Sequence, residues 1–363
     1  MLKIINRPDV AVIVLTHNAG ELWPQCLAGI AQQNLRAGRY VVMDSSSKDN
    51  TVPLAMAAGF EVYSLDAAQF NHGGTRQLAT ELCAESDYVV FLTQDALLEQ
   101  ADSLQKLLQP FQAPDVAMVY GRHVPHEQAS LLEKHARSYT YPAESVQRSR
   151  ADLDQYGFRA AFSSDVYAAY RLKALRSVGG FPEHIIVSED SYVSARLLMA
   201  GWHTVYKAES EVRHSHQYSL WQTFRRYFDV GVFHAAEAAL LQGIGKPDSE
   251  AWVYVRSLIR YLYARRPFLL PLAAVQTLVK LFGFRLGKRY QQLPQRLCYR
   301  LSLQKAYWLQ APSAINEAAA CKRWALTEYK QPAAKQAGQT VAASVAAQSA
   351  TQSTADKSAT SVN

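Results

Sequence analysis

Four groups of side chains have the types and spacing to do chemistry. The run YVVFLTQDALLEQ, residues 88 to 100, is apolar until Thr93, Gln94 and Asp95. One carboxylate is too little for a dedicated Mg²⁺ cage, but Mg²⁺ keeps waters and takes one or two protein oxygens plus substrate phosphates. A bound diphosphate would complete the coordination of an ion held at Asp95. In EVRHSHQ, His214 and His216 share one face if the segment is extended, and imidazole suits Mn²⁺ better than Mg²⁺. In GGFPEHIIVSEDSYVSARL, Glu189 and Asp190 precede an amphipathic pattern. In a cleft one of them could take the proton from an attacking hydroxyl as general base. Adjacent carboxylates repel, so one titrates at raised pH while the other stays ionised. Gly179 and Gly180 would let that loop pass close to a substrate. Finally, Asp44 and the hydroxyls of Ser45, Ser46 and Ser47 could take the ring N–H of a uracil or thymine and reach a ribose. Each group has a structural alternative: a serine or Asx turn at Asp44, a helix N-cap at Asp95, a dipole complement at Glu189 and Asp190, a surface histidine pair.

The elements that must hold these residues alternate strand and helix patterns through the first half of the chain. Strand-like runs VAVIVLTHN, RYVVMDSSS, FEVYSL and DYVVFLTQD are separated by helical stretches at 21–33, 50–58 and 74–85. Continuous β-branched runs between short helices predict a mostly parallel, Rossmann-like sheet flanked by helices, with the ligand outside the carboxyl ends of the strands. Thr16, Asp44 and Asp95 each end a different predicted strand. Beyond Ser103 come a helix, the strand VAMVYGRHVP, and a section from Ser138 to Gly157 expected to be loop-rich and mobile. SSDVYAAYRLKALRSVGGFP returns to strand and helix, and a helix follows Ser188 with Val193, Leu197 and Leu198 on one side.

Composition narrows the class. With 363 residues, 49% of them hydrophobic, the chain can bury a large core. Cys26, Cys83, Cys298 and Cys321 form no Cys-x-x-Cys pair and read as free thiols in a reducing compartment. No leader is expected, because Val10 to Leu15 is short and follows Pro8 and Asp9. No Gly-x-Gly-x-x-Gly and no Gly-Lys-Ser/Thr loop follows the first strand, which disfavours hydride transfer and leaves phosphate charge to side chains or a metal ion. A nucleotidyltransferase would need a glycine-rich basic loop there, and THNAGELW has none. The net charge of +7 is uneven: Ala251 to Asn316 holds no Asp or Glu but many Arg, Lys and aromatic residues. That pattern predicts contact of 251–305 with an anionic membrane surface, ahead of a solvated basic helical region or nucleic acid. The segment Pro267 to Phe284 reads as a helix lying in the surface rather than spanning it.

Taken together, VIVLTHN, VVMDSSSKDNT, FLTQDA, GGFPE, SED and HSH, in this order, resemble the family 2 glycosyltransferases of GT-A fold. More narrowly, FNHGGTRQLA, LTQDA, VYGRHVP, SSDVYAAYR and RRYFDVGVFH resemble their bacterial rhamnosyltransferase branch. The resemblance implies a GT-A domain over 1–235; composition adds a basic amphipathic helical region over 236–330 and, where 331–363 is mostly Ala, Gln, Ser, Thr and Lys, a disordered tail. The resemblance also implies an inverting transferase moving L-rhamnose from dTDP-L-rhamnose, with a divalent cation, Mg²⁺ or Mn²⁺. The acceptor would be a hydroxyl of a lipid-linked or cell-surface glycan of the O-antigen, lipopolysaccharide or capsule type, at the cytoplasmic face of the inner membrane. A UDP-sugar donor, or a catalytically silent nucleotide-sugar-binding scaffold, are the alternatives. By resemblance, Thr16, Asn18, Asp44, Ser46, Arg76, Gln94 and Asp95 bind the donor. Asp95, His214 and His216 hold the metal, and Asp190 is the catalytic base. The usual Asp-x-Asp motif is here Thr93-Gln94-Asp95, and Arg226 replaces the Trp of the processive Gln-x-x-Arg-Trp signature, so one or a few residues would be added.

Overall fold

The computed structural model describes residues 4–242, 244, 250–309 and 327–329; Cys321 and the tail from 331 lie outside them. The strands are β1 (Ile5–Thr16), β2 (Leu35–Asp44), β3 (Glu61–Ser64), β4 (Tyr88–Thr93), β5 (Val116–Val124), β6 (Val146–Arg148), β7 (Tyr167–Arg171), β8 (His203–Arg213) and β9 (Thr327–Tyr329). They form one sheet in the order β6-β8-β5-β7-β4-β1-β2-β3-β9. Strands β3, β2, β1 and β4 run parallel, as the sequence predicts. The other half is mixed: β7 is antiparallel to both β4 and β5, while β8 is parallel to β5.

Burial explains the unbroken apolar runs. Val10 to Val14 are all 0% exposed, because helices cover both faces. On one face Val12, Val14, Val42, Val90 and Leu92 pack with Trp23 and Ile30. On the other, Ile13, Val41, Met43 and Phe91 pack with Ala79, Leu175, Val193 and Leu197. Each large buried side chain contributes about 1.5–3 kcal/mol, and this core makes the sheet a rigid platform for its edge. Three helices expected in this half appear as Trp23–Ala31, Thr51–Ala57 and His72–Leu82. The last starts earlier than predicted because the Asn71 side chain accepts from the Gly74 amide at 2.6 Å, capping it.

The section from Ser138 to Gly157 is not the open loop expected. It ends the helix Leu131–Thr140, forms β6 antiparallel to β8, and continues as the helix Arg150–Tyr156. The decisive signal was local: Ser149 and Asp152 form a reciprocal capping box that fixes the helix start.

Past the sheet, the helices Leu220–Ala236, Glu250–Arg265, Leu270–Gly287, Gln295–Leu301 and Lys305–Leu309 follow. The chain then returns as β9, antiparallel to β3 at the sheet edge. The helix Leu270–Gly287 lies directly on Leu220–Ala236. A Cβ at Gly231 would run into the Phe284 carbonyl, and one at Gly287 into the Phe228 carbonyl. Contact therefore crosses the boundary expected near residue 235.

Candidate active site

Strand register brings the chemical groups to one rim. Thr16 pairs with Asp44, and Leu15 pairs with Thr93, so the carboxyl ends of β2, β1 and β4 lie side by side at about 4.8 Å spacing. Because β7 is antiparallel and Tyr167 pairs with Leu92, the residues preceding β7 reach the same rim. The Thr93 amide donates to the Val166 carbonyl there at 3.2 Å. The end of β8 arrives through Arg213, which pairs with Val124 of β5 and bridges to Leu97. All three described non-glycine residues with positive φ, Asn18 (45°), Ser46 (58°) and Ser188 (64°), sit in the loops of this rim. Such conformations cost about 1–3 kcal/mol each and concentrate at functional sites.

On the β2 side, Asp44 is 1% exposed. Its carboxylate accepts from the Thr16 hydroxyl at 3.0 Å, the Ser47 hydroxyl at 2.5 Å and the Ser47 amide at 2.9 Å. This is the turn-building arrangement set out as the structural alternative, with the carboxylate tied into the loop that follows β2. Asn18 accepts from the Lys48 amide at 2.8 Å, and the Ser46 hydroxyl donates to the Leu65 carbonyl at 2.9 Å. Gln94 clasps the backbone of His17, accepting from its amide at 2.7 Å and donating to its carbonyl at 3.3 Å. These residues stitch β1, β2 and β4 into one preformed loop cluster.

In the middle of the rim, Asp95 is no helix cap; the next helix begins at Ser103. Its Oδ1 accepts from the Thr93 hydroxyl at 2.7 Å, leaving Oδ2 at 3.3 Å from His214 Nε2 and 3.2 Å from His216 Nε2. The three donor atoms lie within 4.8 Å of one another. Burial opposes the Asp95 charge, but the His214 contact, Thr93 and His216 hold the group well below the usual carboxylate range. Burial lowers His216, with His214 adding to the effect. An ionised oxygen beside an imidazole that favours its neutral form is a donor set suited to a divalent cation.

Beside it lies an acidic cluster around a single cation. Arg76 is 4% exposed, with Nε 2.9 Å from Asp165 Oδ2 and Nη1 2.6 Å from Glu189 Oε1. Its guanidinium thus bridges two buried carboxylates. Tyr170 donates to Asp165 at 2.5 Å, and the Asp165 amide donates to Asp190 Oδ2 at 3.2 Å. Glu189 and Asp190 lie in the first turn of the helix Glu189–Met199. Three carboxylates share one arginine, and their titrations diverge accordingly. Burial penalises Glu189, yet Arg76 and His72 hold it below its ordinary value. Burial lifts Asp165 to about 6 despite Arg76. Burial, then the charges of Glu189 and Asp165, push Asp190 up to about 8. Asp190 is partly exposed as a residue, and its second carboxyl oxygen accepts from the Ser191 amide at 2.7 Å.

Asp165, Tyr170, His17 and His123 were not singled out from the sequence as site residues. Asp165 precedes a strand rather than ending one, and only the antiparallel direction of β7 brings it to the rim. His123 is buried, stacked on Tyr141 with centroids 4.0 Å apart and edge-on to His214 at 5.5 Å. Burial, His214 and Arg137 keep it neutral.

The family described as glycosyltransferase like family 2 matches residues 8–228. The chain is 41% identical over 300 residues to the O-antigen chain rhamnosyltransferase RfbN of Salmonella typhimurium (strain LT2), covering 82% of this chain and 96% of that protein. It is 39% identical over 302 residues to the O-antigen chain rhamnosyltransferase WbaN of Salmonella anatum, covering 83% and 96%. Among solved structures, the mannosyltransferase PcManGT from Pyrobaculum calidifontis, in complex with GDP-Man and Mn²⁺, superposes with a TM-score of 0.50 at 17% identity, over 85% of this chain and 88% of that one. The α/β sheet with flanking helices is therefore of the GT-A type expected. By the family match and by two relatives at about 40% identity over most of its length, the chain belongs to glycosyltransferase family 2.

Proposed function

We propose that the chain transfers L-rhamnose from dTDP-L-rhamnose to a hydroxyl of a lipid-linked glycan of the O-antigen type, with inversion at the anomeric carbon, at the inner face of the inner membrane. The observation that carries this reading is the pairing, on one rim, of the Asp95–His214–His216 donor set with an Asp190 carboxyl whose proton affinity lies near neutrality. The names of the two relatives support rhamnose and O-antigen as the sugar and the product class.

Asp95, His214 and His216 would hold a divalent cation, which as a Lewis acid would neutralise charge on the leaving diphosphate. Thr93 keeps Asp95 Oδ1 occupied and so aims Oδ2 at the two imidazoles. Thr16, Asn18, Asp44 and Ser46 would form the nucleoside end of the crevice, Asp44 acting through the turn it fixes. Gln94 holds that end against the Asp95 loop. Asp190 would accept the proton of the acceptor hydroxyl as that oxygen attacks from the face opposite the diphosphate. Arg76 acts on Asp190 indirectly, by fixing Asp165 and Glu189, whose charges raise its basicity. The basic, aromatic region 251–305 supports placement at an anionic membrane.

The test is nucleotide release and product analysis across dTDP-, UDP- and GDP-sugars, with and without Mn²⁺. Expected are turnover of dTDP-L-rhamnose, dependence on the cation and an inverted anomer. Preference for a GDP-sugar, a retained anomer, or full transfer by Asp190→Ala would overturn the proposal.

A further inference from the structure

The helix Leu270–Gly287 is built inside out. Among the described residues the segment Pro267–Gly287 is the one helix long and apolar enough to cross a membrane, yet the polar side chains of its middle are turned toward the protein. Gln276, Thr277 and Lys280 are partly buried, with the Lys280 ammonium 5.4 Å from the Tyr227 ring and 5.6 Å from the Tyr254 ring. Val275, Leu278, Leu281 and Phe282 point outward, Leu278 64% and Phe282 61% exposed. Positions 271, 275, 278, 282 and 285 recur at helical three- and four-residue steps, so the outward residues form one continuous stripe. A helix facing water carries the reverse order, and contiguous exposed apolar surface of this kind marks an interaction site.

The stripe ends in positive charge. Arg265 and Arg266 precede it, and Arg285, Lys288 and Arg289 close it; all five are exposed and none pairs with an acid among the described residues. A second copy docking here about a two-fold axis would bring the same basic flanks against these, with no Asp or Glu between Ala251 and Asn316 to offset them. An anionic lipid surface matches both properties. Crossing the bilayer would expose Lys280 and Gln276 to hydrocarbon and break the backbone contacts at Gly283 and Gly287.

We propose that the outward stripe of Leu270–Gly287 is a docking surface for anionic lipid, the helix lying flat with Leu278 and Phe282 among the acyl chains and the flanking arginines and lysines at the headgroups. It rests on the membrane placement proposed above and adds the face and the orientation. The supporting helix, Leu220–Ala236, begins four residues after His216, so the outward stripe packs on the helix that directly follows the Asp95–His214–His216 set in the chain. The docked helix would thereby keep the candidate site close to the bilayer, as suits an acceptor with a lipid anchor.

The experiment is co-sedimentation of the full chain with phosphatidylglycerol-containing vesicles and with pure phosphatidylcholine vesicles, without any sugar donor. The wild type should bind the anionic vesicles, and less so at high salt. The pair Leu278→Glu with Phe282→Glu, and separately Arg285→Glu with Lys288→Glu, should weaken binding at least tenfold while thermal unfolding and nucleotide release in solution stay unchanged. Wild type that ignores anionic vesicles, variants that bind as well as wild type, a wild-type dimer split by the variants without lipid binding, or resistance of the native protein to alkaline carbonate extraction would each overturn the proposal. Because binding needs no donor, a chain that binds vesicles but transfers no sugar refutes the transferase reading and leaves this surface standing.

Discussion

The pH dependence of transfer follows directly from the crowding of carboxylates around Arg76. Asp190 sits at about 8, raised by burial and by the charges of Glu189 and Asp165. A base at that value is about one-tenth ionised near pH 7 and about nine-tenths ionised near pH 9. With acceptor saturating, kcat/KM for the donor should therefore rise about tenfold across that interval, with unit slope at low pH and a plateau above about pH 9. Asp165→Asn keeps the side-chain volume but removes one neighbouring charge, so the rise should move to lower pH. Asp190→Asn should cost about 10²–10⁴ in rate and leave no such limb on the residual activity. Rates are to be measured by nucleotide release, with circular dichroism confirming the fold of each variant. A flat profile between about pH 6 and pH 9, or an Asp165→Asn enzyme whose limb stays in place, would refute the assignment of Asp190 as the titrating base.

The same cluster has an opposite consequence for stability. The native Asp190 keeps its proton up to about 8, whereas an unfolded aspartate loses it near 3.8, so the native state binds more protons between those values and stability falls as pH rises through them. Asp190→Asn should raise Tm at alkaline pH and leave it nearly unchanged at about pH 4, as thermal melts would report. Arg76→Met removes the one buried cation from two carboxylates and should destabilise the fold by about 3–5 kcal/mol in urea unfolding, more at neutral than at acidic pH. His214→Ala and His216→Ala should each weaken Mn²⁺ binding, followed calorimetrically, by at least about tenfold; unchanged affinity in both would remove the metal set from Asp95.

Much of the site was legible in one dimension because parallel strands deliver their carboxyl ends to a common rim. Once Thr16, Asp44 and Asp95 were seen to close apolar runs, their alignment followed from the sheet rule, and the alternation in HSH put His214 and His216 on one side. The capping box at Ser149 and Asp152 was equally local, and reading it would have shown the helix at Arg150–Tyr156 that was expected as loop.

What only the tertiary structure decided is the state of those groups and their partners. Strand direction is not encoded in an apolar run, so Asp165 could not be assigned to the rim until β7 proved antiparallel between β4 and β5. Arg76, distant in sequence from Asp165 and Glu189, is brought into contact with both as a buried counter-ion, and Asp44 closed on Thr16 and Ser47. The helix at 270–287 likewise read as apolar from its sequence, but only packing at Gly283 and Gly287 fixed which side faces out. Sequence periodicity determines which residues share a face; charge state and exposure depend on what packs against that face, and those neighbours are set by contacts far away along the chain.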